Sequence, residues 1–311
     1  MRFPAHLPGF FLGFVFFFAF FPTFISSCGF GFTRTRAPIN RLVLSSSLVM
    51  SQPAGKCAFC GEPGALTKSH IWPDWAGNVV PFSSTSYISE VGVTNTFETN
   101  LKTPNRESKK KNGSAAKRKP RNTCYPCNGG WMEPMETAAR PAITKLMLGE
   151  AQLLDPFNQR LVAAFLCLAS MRLERGGKTG RAIPNSDIVH LKTKREPPPT
   201  WHIWITHFSG ITNGYFSAHT AMQRGKLSSG LPTGPEYCNE QVSTFIAGKL
   251  CAHLFSSTIR GFGGYEGIAQ TRIWPPSGLD IDSRFIPSIT WTEVNDLHEA
   301  IARDGNPPVR V

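Results

Sequence analysis

Cys57-Ala58-Phe59-Cys60 and, after 63 intervening residues, Cys124-Tyr125-Pro126-Cys127-Asn128-Gly129-Gly130-Trp131-Met132 hold half of the chain's eight cysteines in two close pairs. Two Cys-x-x-Cys knuckles present four thiolates at the corners of a tetrahedron, the ligand set of a structural zinc ion, usually about 15 to 20 residues apart. Closing a loop costs about 0.6 kcal/mol per doubling of its length, so the longer insert adds about 1.2 kcal/mol. Structural zinc contributes about 10 to 16 kcal/mol, far more than the insert takes away. Disulfides and a redox dithiol would use the same residues. Disulfides, however, need an oxidising compartment, and a redox pair normally stands alone beside a βαβ pattern. The expected reading is one zinc ion on Cys57, Cys60, Cys124 and Cys127, in a cytoplasmic protein whose thiols stay reduced. Cys28, Cys167, Cys238 and Cys251 stand singly, and the last three read as small buried hydrophobes.

The flanks of the knuckles carry the chemistry. After Cys60 comes the turn Gly61-Glu62-Pro63-Gly64, then a short extended run, Ala65-Leu66-Thr67-Lys68-Ser69-His70-Ile71-Trp72, ended by Pro73. After Cys127 come Asn128-Gly129-Gly130-Trp131-Met132-Glu133 and a helical pattern through Glu136 and Ala138. The layout is strand, long loop, strand, helix, clamped at its ends by metal. Over residues 57 to about 136 the chain resembles the HNH (His-Me finger) endonucleases of the zinc-stapled phage and bacterial type. The shared features are a Cys-x-x-Cys-Gly, a His-Ile-x-Pro and a Cys-x-x-Cys-Asn-x-Gly-Trp-Met.

The resemblance implies a metal-dependent endonuclease acting on double-stranded DNA. His70 takes the general-base position, activating a water that attacks a backbone phosphate in line. Imidazole suits that role because its ordinary pKa of about 6.5 lets it accept a proton near neutrality. A divalent cation, Mg²⁺ or a transition metal, offsets charge developing on the phosphate. Asn128 follows the last cysteine at the third signature position, where an amide oxygen suits a hard cation; the same residue also fits a helix N-cap. The residue before the histidine is often an acidic metal ligand in the family and is Ser69 here. Asn122, on the strand entering the second knuckle, is the preferred residue for orienting His70. Glu133 and Glu136 share a helix face and read as solvated charges or as carboxylates for the metal.

The net charge of +12 is unevenly spread. Residues 102–121 carry nine Lys and Arg against the single Glu107, including Lys109-Lys110-Lys111 and Lys117-Arg118-Lys119. Lacking bulky apolar residues, this insert cannot order itself by burial, and its place beside the proposed site makes phosphate contact its expected role. Such contacts position a protein without reading bases. Residues 1–49 add four Arg and no acid, and the remaining twenty bases and twenty acids balance.

Gly9 to Phe32 is uncharged and crowded with Phe. Residues 1–49 therefore read as a mis-assigned upstream translation, a signal with a lipoprotein-like Ile25-Ser26-Ser27-Cys28, or a membrane segment. Only if they are retained is a membrane a partner and the protein an anchored or exported one. Residues 50–150 are expected to form the small ββα-metal module, and 151–311 a larger mixed domain of unassigned role, giving an α+β fold class with no small-molecule cofactor. In the second part Asp155-Pro156 opens a buried helix stopped at Gly176-Gly177, too short to span a membrane. Trp201 to Phe208 and Tyr215 to Met222 read as strands, and Val242 to Phe255 as strand or helix. Thr290 with Glu293 forms a capping box ahead of Val294, Leu297 and Ile301. His202, His207, His219 and His253 read as core or surface histidines, and Gly261 to Gly267 as a loop. A non-catalytic nucleic-acid or protein binding module on the same zinc scaffold is the rival function.

Overall fold

Hydrogen-bonded knuckles, one buried helix and a wide sheet build the molecule. The computed structural model describes residues 54–81, 89–95, 119–177, 181–210, 214–223, 238–258 and 270–304. The leader 1–49, most of the basic insert and the glycine-rich stretch 261–267 lie outside them.

Strands β1 (Ala54–Lys56), β2 (Pro63–Lys68) and β4 (Arg121–Cys124) form a three-stranded antiparallel sheet in the order β1-β2-β4. Leu66 pairs with Cys124 and Thr67 with Thr123, which brings the two halves of the cysteine motif together across the insert. β4 runs into a π-helical turn, Pro126–Met132, continuous with helix α2 (Glu133–Leu148). Gly149, in the left-handed conformation at φ 73°, ends α2. The expected strand, insert, strand, helix order is therefore present. The insert is more than a loop, because it carries the short helix α1 (Ala76–Val79) and strand β3 (Ser89–Asn95).

A two-residue strand β5 (Leu153–Leu154) precedes helix α3 (Pro156–Arg175), where Asp155 accepts from the Asn158 N–H at 2.7 Å as its N-cap. Residues Val162 to Glu174 of α3 are all buried, so this helix packs on every side, with Ser170, Arg172 and Glu174 as buried polar groups near its end. After α4 (Asn185–Lys194) come β6 (Trp201–Phe208), β7 (Tyr215–Gln223), β8 (Glu240–Ala247), β9 (Leu250–Ser257) and β10 (Thr271–Trp274). The last elements are β11 (Ile281–Asp282), a 3₁₀ turn, β12 (Ser288–Ile289) and α5 (Trp291–Asp304).

The large sheet has the order β10-β6-β9-β8-β7-β3, with β12 parallel to β6 and β3 parallel to β7. The apolar run Val242 to Phe255, open to either reading in sequence, is the β8–β9 hairpin. Gly248, at φ 58°, makes its two-residue turn, and a Cβ there would collide with Met147 O at the end of α2. β6 and β7 are not a hairpin: β9 and β8 lie between them. The capping box closes as expected, with the Thr290 N–H on Glu293 Oε2 at 2.8 Å and the Glu293 N–H on Thr290 Oγ1 at 3.3 Å.

The two sides of residue 150 share one core. Met50–Val311 forms a single unit, and one hydrophobic cluster runs from Cys57 through α2 and α3 to Ile286. Trp72 is its pin: fully buried, it meets Phe165, Tyr215 and Phe245 at ring distances of 6.0, 5.5 and 6.0 Å and donates from Nε1 to Ser217 Oγ at 3.3 Å. The Tyr215 hydroxyl donates to Ala76 O at 2.6 Å, fixing the segment just downstream of His70. Among the described residues no helix is long and apolar enough to cross a membrane.

Candidate metal centre and cleft

The knuckle around Cys57 is shaped by backbone before any metal is considered. Gly61, at φ 78°, turns the chain so that its N–H reaches Cys57 O at 2.9 Å, and the Cys57 N–H reaches Glu62 O at 2.9 Å. The N–H groups of Phe59 and Cys124 point at Cys57 Sγ from 3.5 and 3.3 Å. The sulfurs of Cys57, Cys60, Cys124 and Cys127 all lie within 4.8 Å of one another, with Cys60 Sγ 3.6 Å from Cys124 Sγ. Zinc–sulfur bonds of about 2.3 Å in a tetrahedron place sulfurs about 3.8 Å apart, so the four side chains fit a zinc ion. Burial raises the Cys57 thiol, but the N–H groups of Cys124, Cys60 and Phe59 outweigh it and hold its pKa at about 7. Burial pushes Cys124 and Cys127 upward, an effect that a bound cation reverses by taking the thiolate. The donor set and its N–H···S support fit structural zinc.

Beside this centre opens a cleft of about 310 Å³ lined by His70, Asp74, Asn128, Glu133, Glu136 and Arg172, with Pro73, Trp75, Thr137 and Arg140 completing its walls. β2 delivers His70 two residues past its last paired residue, Lys68, and the π-helical turn delivers Asn128. Asn128 Nδ2 donates to Lys68 O at 3.3 Å, tying the helix start to the end of β2. Asn128 lies inside the turn and so is not an N-cap. His70 Nε2 is 3.1 Å from Asp74 Oδ2, without the alignment of a hydrogen bond, and Asp74 Oδ1 accepts from Lys119 Nζ at 2.9 Å. Burial lowers the His70 pKa from 6.5; Asp74 opposes this, and Lys119 and Arg172 add to it. The Lys119 hydrogen bond holds the Asp74 carboxyl below its usual range. At the floor, Arg172 is buried, pairs through Nη1 with Glu136, and turns Nη2 toward Asn128 Oδ1 at 3.5 Å. Arg140 stacks over Trp75 at 5.3 Å.

The other expected site residues go elsewhere. Ser69, expected beside a catalytic metal, is fully buried and does not line the cleft; its N–H is held by Pro120 O at 2.9 Å, which turns the hydroxyl into the core. Asn122, expected to orient His70, donates instead to Arg175 O at 3.0 Å and accepts from Thr123 Oγ1, since alternation along β4 turns it toward the end of α3. Lys119, expected on nucleic acid, is bound to Asp74. Lys109, Lys110, Lys111, Lys117 and Arg118 lie outside the described residues. Asp74 and Arg172 were missed. Asp74 stands four residues past His70, a spacing that the helical turn after Pro73 makes meaningful. Arg172 reaches the cleft from α3, a long-range placement with no local signal.

The resemblance also implies a second, catalytic cation, whose donors here are the oxygens of Asp74, Asn128, Glu133 and Glu136. Their hardness is right. Their placement is not: Glu136 holds Arg172, Asp74 holds Lys119, and Asn128 Oδ1 faces the Arg172 guanidinium. Among the described residues the four cysteines are the one group of His, Cys, Asp and Glu whose ligand atoms converge. The cleft as built does not fit a second cation, and its chemistry rests on its own side chains.

The core histidines are satisfied within the fold. His219 reaches Ser243 Oγ at 2.8 Å and Glu174 Oε2 at 3.2 Å, and His253 reaches Thr244 Oγ1 at 2.9 Å. Compared with protein-family models, with curated proteins and with solved structures, the chain matches none.

Proposed function

We propose that the protein is an HNH-type endonuclease hydrolysing DNA phosphodiester bonds in the cleft beside a structural zinc centre. The observation that carries this reading is the meeting of His70, from the end of β2, with Asn128, from the turn after the second knuckle, in one cleft. Those are the two positions that the resemblance ties to chemistry. His70 is half-buried, and burial favours its neutral form, the form a general base needs. In the proposed reaction His70 takes a proton from a water as the water oxygen attacks phosphorus, and the opposite ester oxygen leaves and takes a proton from solvent. Arg140 brings positive charge to the cleft wall, where an in-line displacement accumulates negative charge. The basic insert would hold the flanking duplex by its phosphates. Four free thiols near zinc-ligand geometry suit a reducing compartment, and the cytoplasm is the proposed location.

A second reading has its own support. With Ser69 buried and Asp74 and Glu136 already paired, the same scaffold serves as a nucleic-acid binding module without catalysis. Conversion of supercoiled plasmid to open circles by the zinc-loaded protein, with Mg²⁺, Mn²⁺ or Ni²⁺ supplied in turn and withheld, separates the two. Nicking supports the endonuclease, and binding without nicking supports the module.

A further inference from the structure

Asp74 has no part in the motif that the chain resembles, yet its Oδ2 lies 3.1 Å from His70 Nε2. We propose that Asp74 is the positioning carboxylate of His70, holding the imidazole with its proton on Nε2 and its lone pair on Nδ1. The inference rests on the reading of His70 as the general base.

The geometry is set by the chain between them. Trp72 is locked in the core, and Pro73 starts a helical turn in which the Ala76 N–H reaches Pro73 O at 3.0 Å and the Gly77 N–H reaches Asp74 O at 3.2 Å. That turn carries residue 74 back over His70, to 3.1 Å between Oδ2 and Nε2. Lys119 fixes the other carboxylate oxygen at 2.9 Å, so Asp74 is aimed by a second group, as a carboxylate that orients a base must be. His70 Nε2 is shut off from solvent and has no hydrogen-bond partner, and Asp74 Oδ2, 3.1 Å away, is an acceptor within its reach. His70 Nδ1 makes no hydrogen bond among the described residues. A carboxylate accepting one imidazole N–H fixes the tautomer and stabilises the imidazolium formed once the other nitrogen takes a proton. Asp74 thus supplies, from four residues downstream, the negative charge beside the histidine that Ser69 does not.

Replacing Asp74 by Asn gives a distinctive outcome. Lys119 has only donors and takes the amide oxygen, which turns the amide NH₂ toward His70 Nε2. Nε2 then becomes an acceptor and the proton moves to Nδ1, blocking the base. The test uses the full-length, zinc-loaded protein with ¹⁵N-labelled histidine, its His70 signals assigned with His70→Gln, and long-range ¹H–¹⁵N correlation spectra above pH 7.5. Expected are an Nε2–H tautomer in the parent and in Asp74→Glu, and an Nδ1–H tautomer in Asp74→Asn. Plasmid nicking should fall about 10²-fold or more in kcat for Asp74→Asn, with KM and zinc content unchanged. A parent His70 protonated on Nδ1, or an Asp74→Asn tautomer identical to the parent's, overturns the proposal. If the parent does not nick DNA, the base reading fails by itself, while the spectra still decide the role of Asp74. At 68 % exposure the Asp74 side chain is outside the core, and these variants should fold.

Discussion

Arg172 of α3 and Glu136 of α2 form an ion pair at the floor of the cleft, joining a helix of the zinc module to the central helix of the molecule. The arginine is only 3 % exposed and the glutamate 14 %, so neither charge is well solvated without the other. Breaking such a pair from one side leaves a buried charge and costs about 3 to 5 kcal/mol. Arg172→Met should lower stability by about that amount in urea denaturation, and the double variant Arg172→Met/Glu136→Gln should recover part of the loss. Equal stability of the single and double variants would mean that the pair is not coupled.

Zinc removal should unfold more than the small sheet. The cysteine cluster belongs to the same hydrophobic cluster as α2, α3 and the large sheet, so opening it exposes Trp131, Met132 and their neighbours. The purified protein should hold about one zinc per chain, as a four-thiolate site requires. Cys60→Ser should lose the metal and show a lower, broader thermal transition in circular dichroism. A native-like transition in a zinc-free protein would contradict the assignment.

Much of this architecture is legible in the sequence, for physical reasons that are local. A Pro after Asp, an apolar run and a Gly pair define α3; Thr290 and Glu293 define the start of α5; paired cysteines announce their own convergence. What escapes is long-range. Nothing local indicates that Trp72 lies against Phe165, Tyr215 and Phe245, or that residues before and after 150 share a core. Strand order fails to follow chain order for the same reason, with β6 and β7 separated by the β8–β9 hairpin. Of the motif positions, His70 and Asn128 line the cleft and Ser69 and Asn122 do not, because their directions depend on which face of the chain turns inward. Arg172 enters from the end of the α3 apolar run, where in sequence it reads only as a flanking charge.

The basic insert should act on DNA through charge alone. Each phosphate neutralised contributes about 0.9 to the slope of log affinity against log salt on duplex DNA. Changing Lys109, Lys110, Lys111, Lys117 and Arg118 to Gln should flatten that slope and weaken binding to unrelated sequences equally. Lys119 is left in place because it holds Asp74. Fluorescence anisotropy over a salt series measures the effect; an unchanged slope would remove the insert from the DNA interface.

The most direct measurement is the rate of plasmid nicking by the zinc-loaded parent and by His70→Ala, followed from pH 5 to 8. A general base must be neutral, and burial holds the His70 pKa below 6.5, so the parent rate should fall only as pH drops through a midpoint below that value. His70→Ala should lose about 10² to 10⁴ in rate and the acid limb with it, at unchanged zinc content. Nicking by His70→Ala at the parental rate, or a parent that cuts no DNA with or without Mg²⁺, Mn²⁺ or Ni²⁺, would contradict the endonuclease reading.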